Sequence, residues 1–251
     1  MTDAGYMIDR FLVTCQGRFT GYGQESIMKA IQASAAAEMR LIGGRLCLDF
    51  INTVDGRKSD SPRGESRSID RVLGDKLADY SDLVEWSRHS GIVTAAEAER
   101  LIQASKRNAR GAKDVFDRAI ALREALYRIC KAIITGRRPQ TVDLETVNDE
   151  LLGARTHERL THEANGFTWE WVGSKAALDR MLWSIAHSAA ELLTTGDLSR
   201  LRECGGEECG WVFEDTSRNR SRQWCDMQDC GNRAKVRRYR TRLRSGNKAK
   251  R

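Results

Sequence analysis

Apolar positions repeat at helical spacing along much of the chain. Between residues 112 and 135 they recur near i, i+3 and i+4, which predicts a long helix that Gly136 ends. A second long helix is expected between Ser174, which would cap it, and Gly196, which would end it. The apolar stripe of this second helix comprises Leu178, Met181, Leu182, Ile185, Ala189 and Leu192.

Three shorter helices follow from the same kind of pattern and from helix-end signals. Residues 79–90 carry clustered apolar positions that predict one short helix. Thr94 and Glu97 form a capping box, which opens a helix running to about Ala109. A third helix is expected over residues 144–154.

Two segments have short apolar runs of the kind that form strands. The run LCLDFI over residues 46–51 predicts a buried strand. The motif ERLTHEANGFTWEWV places two β-prone runs on either side of Asn165-Gly166, which predicts a hairpin. We therefore expect a mostly helical α+β domain with a small sheet over residues 40–196. A poorly ordered extension over residues 1–39 would precede it.

Charge is distributed unevenly between the two ends of the chain. The net charge is +7, and residues 200–251 hold 15 Lys or Arg against 7 Asp or Glu, so the preceding residues are close to neutral. This asymmetry favours a polyanion-binding module, although a solvated basic tail would carry the same charge. No apolar run approaches the roughly 18 residues that a membrane helix needs, so a cytoplasmic protein with reduced thiols is expected.

Four of the seven cysteines are paired at short spacing within the basic region. They are arranged as Cys204-x4-Cys209, fifteen intervening residues, and Cys225-x4-Cys230. Four thiolates match the tetrahedral coordination of structural Zn²⁺ and leave no position open for catalysis. We expect one structural zinc ion, with four unrelated buried thiols as the alternative. The isolated cysteines, expected to be packing residues, are Cys15, Cys47 and Cys130.

The sequence around these cysteines predicts a small treble-clef or ribbon-like module over residues 197–245. WVFED and SRQWC are expected to form two strands joined by the turn TSRNR, and the second cysteine pair leads into a helix. Its three large aromatic residues suit a small core better than a surface that stacks on bases. These residues are Trp211, Phe213 and Trp224. Residues 246–251 would form a basic tail.

The helix after the cysteines is strongly basic, since RAKVRRYRTRLR contains seven Lys or Arg and no acid. Val236, Tyr239 and Leu243 share one face, which we expect to pack against the zinc module. The small residues Ala234 and Thr241 would then face outward. Two basic rows would flank the apolar face: Arg233, Arg237, Arg240 and Arg244 on one side, and Lys235, Arg238 and Arg242 on the other.

The basic rows and the preceding turn together predict a nucleic-acid-binding surface that the metal would orient. Arginine suits both phosphate and guanine contacts. Neutralising about six phosphates would give log K a slope near −5 against log salt. Arg237→Glu is expected to weaken binding without changing the zinc content. The arginines that the turn contributes are Arg218, Arg220 and Arg222.

The C-terminal sequence resembles a known family. CGWVFEDTSRNRSRQWCDMQDCGNRAKVRRYRTR is similar to the CGNR zinc fingers, whose name is the tetrad from Cys230 to Arg233. GGRLCLDFINTVDGR resembles the start of the ABATE domain, which accompanies that finger in bacterial proteins described as stress-induced transcription regulators. The resemblance implies a nucleic-acid role for the arginines after the tetrad, and Asn232 is expected to cap their helix. It also implies zinc ligation by Cys204, Cys209, Cys225 and Cys230.

The N-terminal domain has weaker functional signals. Asp49, Asn52 and Thr53 follow or end the predicted strand, where they could line a ligand pocket or simply form a turn. His157 and His162 lack a third ligand, so a metal site there is not expected. The sequence has no phosphate loop, nucleophile elbow or dinucleotide fingerprint, so an enzyme is not expected.

These observations predict a DNA-binding transcription regulator whose N-terminal domain senses an effector or mediates assembly. A homodimer and an unknown small-molecule effector are its expected partners in addition to DNA. An RNA-binding protein has nearly the same charge pattern, and a zinc-stabilised adaptor for an acidic protein is a further alternative. A redox sensor that releases zinc on thiol oxidation is the last alternative function.

Overall fold

A computed structural model describes residues 35–57, 74–164 and 166–248, with side chains described up to residue 243. The helices are α1 (Leu46–Ile51), α2 (Tyr80–His89), α3 (Ala95–Arg107), α4 (Ala109–Ile134), α5 (Thr141–Arg155), α6 (Arg180–Thr195) and α7 (Asn232–Lys248). The strands are β1 (Glu158–Glu163), β2 (Gly166–Trp171), β3 (Leu201–Glu203) and β4 (Val212–Glu214). The predicted class is confirmed: the described residues form a mostly helical fold with two small antiparallel sheets.

The predicted helix-end signals act as expected in α2 and α3. The carboxylate of Asp79 accepts hydrogen bonds from the backbone N–H groups of Ser81 and Asp82 and so caps α2. At the start of α3, Thr94 and Glu97 form the complete capping box, with each side chain bonded to the other's backbone. Gly136, at φ +66°, follows the last turn of α4.

The prediction of a strand at LCLDFI is wrong, because residues 46–51 form α1. Five of its six residues are buried, and a short run buried all round carries no periodicity that separates strand from helix. Tertiary contacts decide the conformation. The carboxylate of Asp49 accepts a hydrogen bond from the N–H of Gly43 at 2.7 Å, which folds the preceding loop back over the first turn.

The predicted cap of the second long helix is also wrong. Ser174 lies in a turn, where its Oγ accepts a hydrogen bond from the N–H of Ala176 at 3.2 Å. The helix, α6, begins only at Arg180, after Asp179, and Gly196 follows its end as predicted. The six apolar residues predicted for this helix face the core from α6 and from the turn before it.

The predicted hairpin is present as β1 and β2, paired in antiparallel register from Glu158–Trp171 to Glu163–Gly166. Asn165 of the predicted turn lies outside the described residues. The hairpin is anchored at its base, where the ring of Trp171 lies 6.0 Å from that of Trp183 in α6.

The C-terminal segment packs directly on the helical domain through the β3–β4 hairpin. Leu201 and Val212 belong to the main core with α1, α4 and α6, whereas Phe213 belongs to a second cluster around the paired cysteines. Because successive strand residues point to opposite faces, β4 joins the two cores.

Side-chain hydrogen bonds also fix the β3–β4 hairpin to the helical domain. The amide of Asn52, at the end of α1, donates to the carbonyl of Val212 and accepts from its N–H, both at 2.8 Å. The N–H of Glu214 donates to the carbonyl of Gly43 at 2.8 Å. Lys131 of α4 forms an ion pair with Glu203 at 2.5 Å. The paired cysteines are therefore held in a fixed position relative to the helical domain.

Candidate metal centre and nucleic-acid interface

The first cysteine pair lies on a tight loop between β3 and β4. The N–H of Cys204 donates to the carbonyl of Trp211 at 2.8 Å, which closes the loop. Gly210 has φ +74°, a conformation that favours glycine, and it turns the chain back into β4. The loop thus directs the side chains of Cys204 and Cys209 inward.

The four predicted ligand atoms converge on one point. The sulfur atoms of Cys204, Cys209, Cys225 and Cys230 all lie within 4.8 Å of one another. Cys225 Sγ lies 3.6 Å from the Sγ atoms of both Cys209 and Cys230. Four thiolates at about 2.3 Å from a tetrahedral zinc ion would be separated by roughly 3.8 Å. The cluster therefore fits a metal ion with four sulfur ligands.

The surroundings of the cluster also suit bound thiolates. The backbone N–H groups of Gly206 and Cys225 point at the sulfur of Cys204, at 3.4 and 3.3 Å. A Cβ atom on Gly206 would lie only 3.3 Å from the Cys230 sulfur and 3.1 Å from Cys209 Cβ. Glycine at this position therefore leaves the space in which the sulfur atoms meet.

The close approach of four thiols separates their proton affinities. Hydrogen bonds from Cys209 and Cys225 lower the pKa of Cys204. The same contacts with Cys204 raise the pKa of Cys209 and of Cys225. The contacts among the sulfurs therefore favour the thiolate at Cys204, which is the form that ligates metals.

The predicted hairpin between the cysteine pairs is wrong. WVFED does supply β4, but its partner is β3 rather than SRQWC, which forms no strand. Buried Asp215 explains the difference. Its carboxylate accepts hydrogen bonds from the N–H groups of Ser217 and Arg222, at 2.9 and 3.0 Å, and so folds residues 215–222 into a compact turn.

The three arginines of this turn have different roles. Arg222 donates to the carbonyls of Cys225, Trp224 and Ile42, and its guanidinium lies 4.1 Å from the Phe213 ring centre. It therefore joins the cysteine loop to the helical domain. Arg220 has φ 49° and donates to Asp197 and Ser199. The side chain of Arg218 is exposed.

The large aromatic residues of the module pack inside the protein. Phe213 is fully buried, and Trp211 and Trp224 pack against the cysteine cluster. The indole N–H of Trp211 donates to Asp55 at 2.9 Å.

The second cysteine pair directly precedes the basic helix. A turn of π-helix, Met227–Gly231, carries Cys230 and continues directly into α7. The carboxylate of Asp226 caps this turn by accepting from the N–H of Gln228 at 2.8 Å. The prediction that Asn232 caps the helix is wrong, because Asn232 already lies inside it with φ −69° and ψ −45°.

The predicted orientation of α7 is reversed. Ala234 is 4% exposed and is the one buried residue between positions 232 and 243. Val236, Tyr239 and Leu243, expected to pack inward, are 42%, 64% and 54% exposed. The core of the module is formed instead by Phe213 and the aromatic residues that pack with it around the cysteines.

Two arginines on one basic row of α7 are paired within the chain. Arg233 forms an ion pair with Asp229 at 2.6 Å, and Arg237 forms one with Glu207 at 2.9 Å. The other described cations of α7 are exposed and form no ion pair with any described residue. These cations are Lys235, Arg238, Arg240 and Arg242; the side chain of Arg244 lies outside the described set.

Asp49, Asn52 and Thr53 are buried, and each is hydrogen-bonded within the protein. Asp49 and Asn52 make the contacts given above, and Thr53 accepts from the guanidinium of buried Arg123 at 3.0 Å. None of the three lines the cleft of about 660 Å³ between the helical domain and the cysteine module. That cleft is lined by residues that include Asp55, Lys76, Glu207, Trp211 and Arg237.

The histidines make local contacts. His157 stacks on Trp183 at 3.7 Å, and His187 bonds to Glu158 at 2.6 Å. Within the described residues, the four-cysteine cluster is the one group of metal-ligating side chains that is close enough to hold an ion. Cys47 and Cys130 are buried packing residues as predicted, and Cys15 lies outside the described residues.

Sequence reasoning missed Asp215, which shapes the turn before the second cysteine pair, and Asp226, which shapes the turn between the two cysteines of that pair. Both are followed by an N–H group two residues later that bonds to the carboxylate. This Asx-turn pattern is the signal that could have found them.

A four-cysteine cluster followed by an exposed basic helix defines a zinc-finger type of module. Comparison with protein families agrees with this description. Residues 200–243 match the CGNR zinc finger. Residues 44–196 match the ABATE family, described as "Putative stress-induced transcription regulator". That match covers more than half of the chain, so the protein belongs to the ABATE family and carries a CGNR zinc finger.

The resemblance seen in the sequence is thus confirmed at both ends of the chain. No curated protein matches the chain. Neither family description names a catalytic activity. None of the helices in the described residues combines the length and apolar composition that a bilayer crossing requires.

Proposed function

We propose that this protein is a DNA-binding transcription regulator in which one structural zinc ion fixes the basic helix α7 for contact with the duplex. One observation carries the proposal: four converging cysteine sulfurs directly precede an exposed helix that holds eight Lys or Arg and no acid. The ligands would be Cys204, Cys209, Cys225 and Cys230. Zinc bound by four thiolates stabilises a fold and has no open position for substrate.

The metal would act by joining two loops that come from different parts of the chain. Cys204 and Cys209 belong to the β3–β4 loop, whereas Cys225 and Cys230 lie in the segment that leads into α7. The small module has a thin core of its own, so metal binding supplies a large part of its folding free energy. Loss of the metal would leave the charge of α7 unchanged but remove the constraint on its direction.

Exposed cations on α7 supply the proposed contact with DNA. Phosphate contacts dominate the affinity of most DNA-binding proteins, and each one makes binding more sensitive to salt. Lys235, Arg238, Arg240 and Arg242 are free of internal ion pairs among the described residues, and exposed Arg218 lies on the nearby turn. Arg244 extends the series by position in the sequence. Arg233 and Arg237 would first have to exchange their internal carboxylates for phosphates.

Arg220 and Arg222 belong to the predicted nucleic-acid surface, and their internal contacts assign them a supporting role in this proposal. Arg222 holds the cysteine loop, and Arg220 holds the turn against Asp197. Their substitution would act through the fold of the module.

Salt-dependent binding of Arg240→Glu tests the DNA interface. For the unaltered protein, about six neutralised phosphates give a slope near −5 for log K against log salt. Arg240→Glu removes one cation and adds an anion at an exposed site that has no described ion-pair partner, so binding should weaken at least tenfold with unchanged zinc content. Arg240 is preferred to Arg237, because a Glu at 237 would face Glu207 and disturb the cysteine loop.

Arg110→Glu is the matched control, since it makes the same charge change at an exposed position in the first turn of α4. Affinity for a duplex should fall much less in this control. Equal weakening in both variants would contradict a specific role for α7. Tight, salt-dependent binding to structured RNA with none to duplex DNA would contradict DNA as the partner. Absence of binding to either would favour an acidic protein partner.

We further propose that the ABATE domain sets the position of the finger in response to an effector or to homodimer formation. The two hydrogen bonds between Asn52, at the end of α1, and Val212 of β4 form a fixed joint between these elements, and this joint supports the proposal. Movement of α1 would carry β4 and the cysteine loop with it. Displacement of the finger by an effector would be detected as altered hydrogen exchange at β4.

A further inference from the structure

The exposed face of α7 has a composition that phosphate binding alone does not require. At about 100° per residue, Val236, Tyr239 and Leu243 form a narrow apolar stripe centred roughly opposite Ala234. Ala234 is buried, so the stripe points directly away from the body of the protein. Each of the three stripe residues is more than two-fifths exposed.

Basic side chains flank this stripe on both sides. On the helix, Lys235, Arg238 and Arg242 lie about 70–140° to one side of it. The row of Arg233, Arg237 and Arg240 lies about 60–130° to the other side. Across the exposed face of α7, a row of basic side chains is therefore followed by the apolar stripe and then by a second basic row. A helix that enters the major groove meets the two phosphate backbones on its flanks and the base edges in between.

Two other partners that could cover the stripe fit the structure less well than DNA does. The cysteine module does not cover it, because the stripe lies on the opposite side of α7 from buried Ala234. A parallel α7 from a second copy would place the stripe at the seam of a two-helix coil. Arg240 and Arg242 of both copies would then flank that seam, where like charges repel.

We propose that Val236, Tyr239 and Leu243 contact the C5-methyl groups of thymine in the major groove, so that the finger discriminates A·T from G·C pairs through apolar contact. The inference rests on the proposed DNA binding and deepens it. The thymine methyl is the one apolar group that a base pair presents on the major-groove floor. The flanking cations contact phosphates, which position the helix and carry no sequence information. The stripe therefore supplies the selectivity and the rows supply the affinity.

Removal of the methyl group from the DNA tests this assignment. Four duplexes of equal length are compared with the zinc-loaded full chain: alternating A·T, the same duplex with uracil for thymine, alternating G·C, and the same duplex with 5-methylcytosine for cytosine. Uracil removes the methyl but keeps every hydrogen-bonding group of thymine. We expect uracil to weaken binding about fourfold for each methyl contacted, and 5-methylcytosine to strengthen binding to the G·C duplex.

A variant with Val236→Ala and Leu243→Ala locates the effect on α7. Alanine keeps the helix propensity, so helicity and zinc content should be retained while the dependence on the methyl group falls to what Tyr239 alone contributes. An equal uracil effect in this variant and in the unaltered chain would overturn the assignment to the stripe.

The outcomes separate this inference from the proposed function. Equal, salt-dependent binding to the thymine and uracil duplexes would overturn methyl recognition and leave DNA binding intact. Failure to bind all four duplexes would overturn both.

Discussion

At the scale of single residues, Asp49 shows how a buried charge is tolerated next to the joint between the two parts of the protein. Its carboxylate accepts hydrogen bonds from the backbone N–H groups of Gly43 and Ile42, and the positive charge of Arg222 favours the ionised carboxylate. Burial outweighs these effects and raises its pKa to about 6. An unfolded aspartate titrates near 3.9, so the folded protein takes up this proton at higher pH than the unfolded chain does.

Asp49→Asn should therefore stabilise the protein in a pH-dependent way. Above about pH 6 Asp49 is charged in both states, and burial of that charge costs roughly 2–3 kcal/mol of folding free energy. Between pH 6 and 4 the folded state binds the proton first, so this cost disappears. Urea denaturation should show the variant more stable at pH 7.5 and the two proteins close to equal at pH 4.

Asp149→Asn, at an exposed position of α5, is the control and should change the unfolding free energy little at either pH. A stability difference between Asp49→Asn and the unaltered chain that stays constant from pH 7.5 to 4 would contradict the assigned titration.

At the scale of secondary-structure elements, the joint between α1 and β4 depends on one amide side chain. Asn52 satisfies both the N–H and the C=O of buried Val212, as a neighbouring strand would do. Asn52→Ala leaves both groups unpaired, which should lower the unfolding free energy by about 2–4 kcal/mol. A urea-denaturation midpoint at pH 7.5 measures this loss.

Asn148→Ala, at an exposed position of α5, is the matched control and should be neutral or slightly stabilising, because alanine favours a helix. A change of less than about 0.5 kcal/mol in Asn52→Ala would show that the joint is held by other contacts.

Elements with strong local signals could be predicted from the sequence. The capping box of Thr94 and Glu97 and the long stripe of α4 act within one element, so their structure follows from spacing alone. The same is true of the four cysteines, because zinc coordination demands their number and type.

Elements whose structure depends on distant contacts could not be predicted in this way. LCLDFI forms a helix because Asp49 bonds back to Gly43 and Asn52 bonds to Val212, and neither partner is visible in the local pattern. The stripe of α7 shows an apolar face but not which way it points. That direction depends on the π-helical turn that leads into α7, and in the folded protein Ala234 is the buried residue.

At the scale of the whole molecule, the ABATE domain and the zinc finger share a continuous core through Leu201 and Val212. The four sulfurs lie at the edge of this shared body, and α7 extends from them with its basic and apolar residues exposed. In the proposed function, this large folded body would carry the basic helix α7, and the metal would connect the two.

Duplex-DNA binding before and after zinc removal is the decisive test of whether zinc orients α7 for contact with DNA. The full chain is measured as purified, after chelation and after zinc is restored, at two salt concentrations and with its metal content quantified each time. We expect one zinc ion per chain, salt-dependent binding that is lost with the metal, and recovery when zinc returns. Undiminished binding by protein shown to be free of metal would contradict the claim that zinc orients the helix.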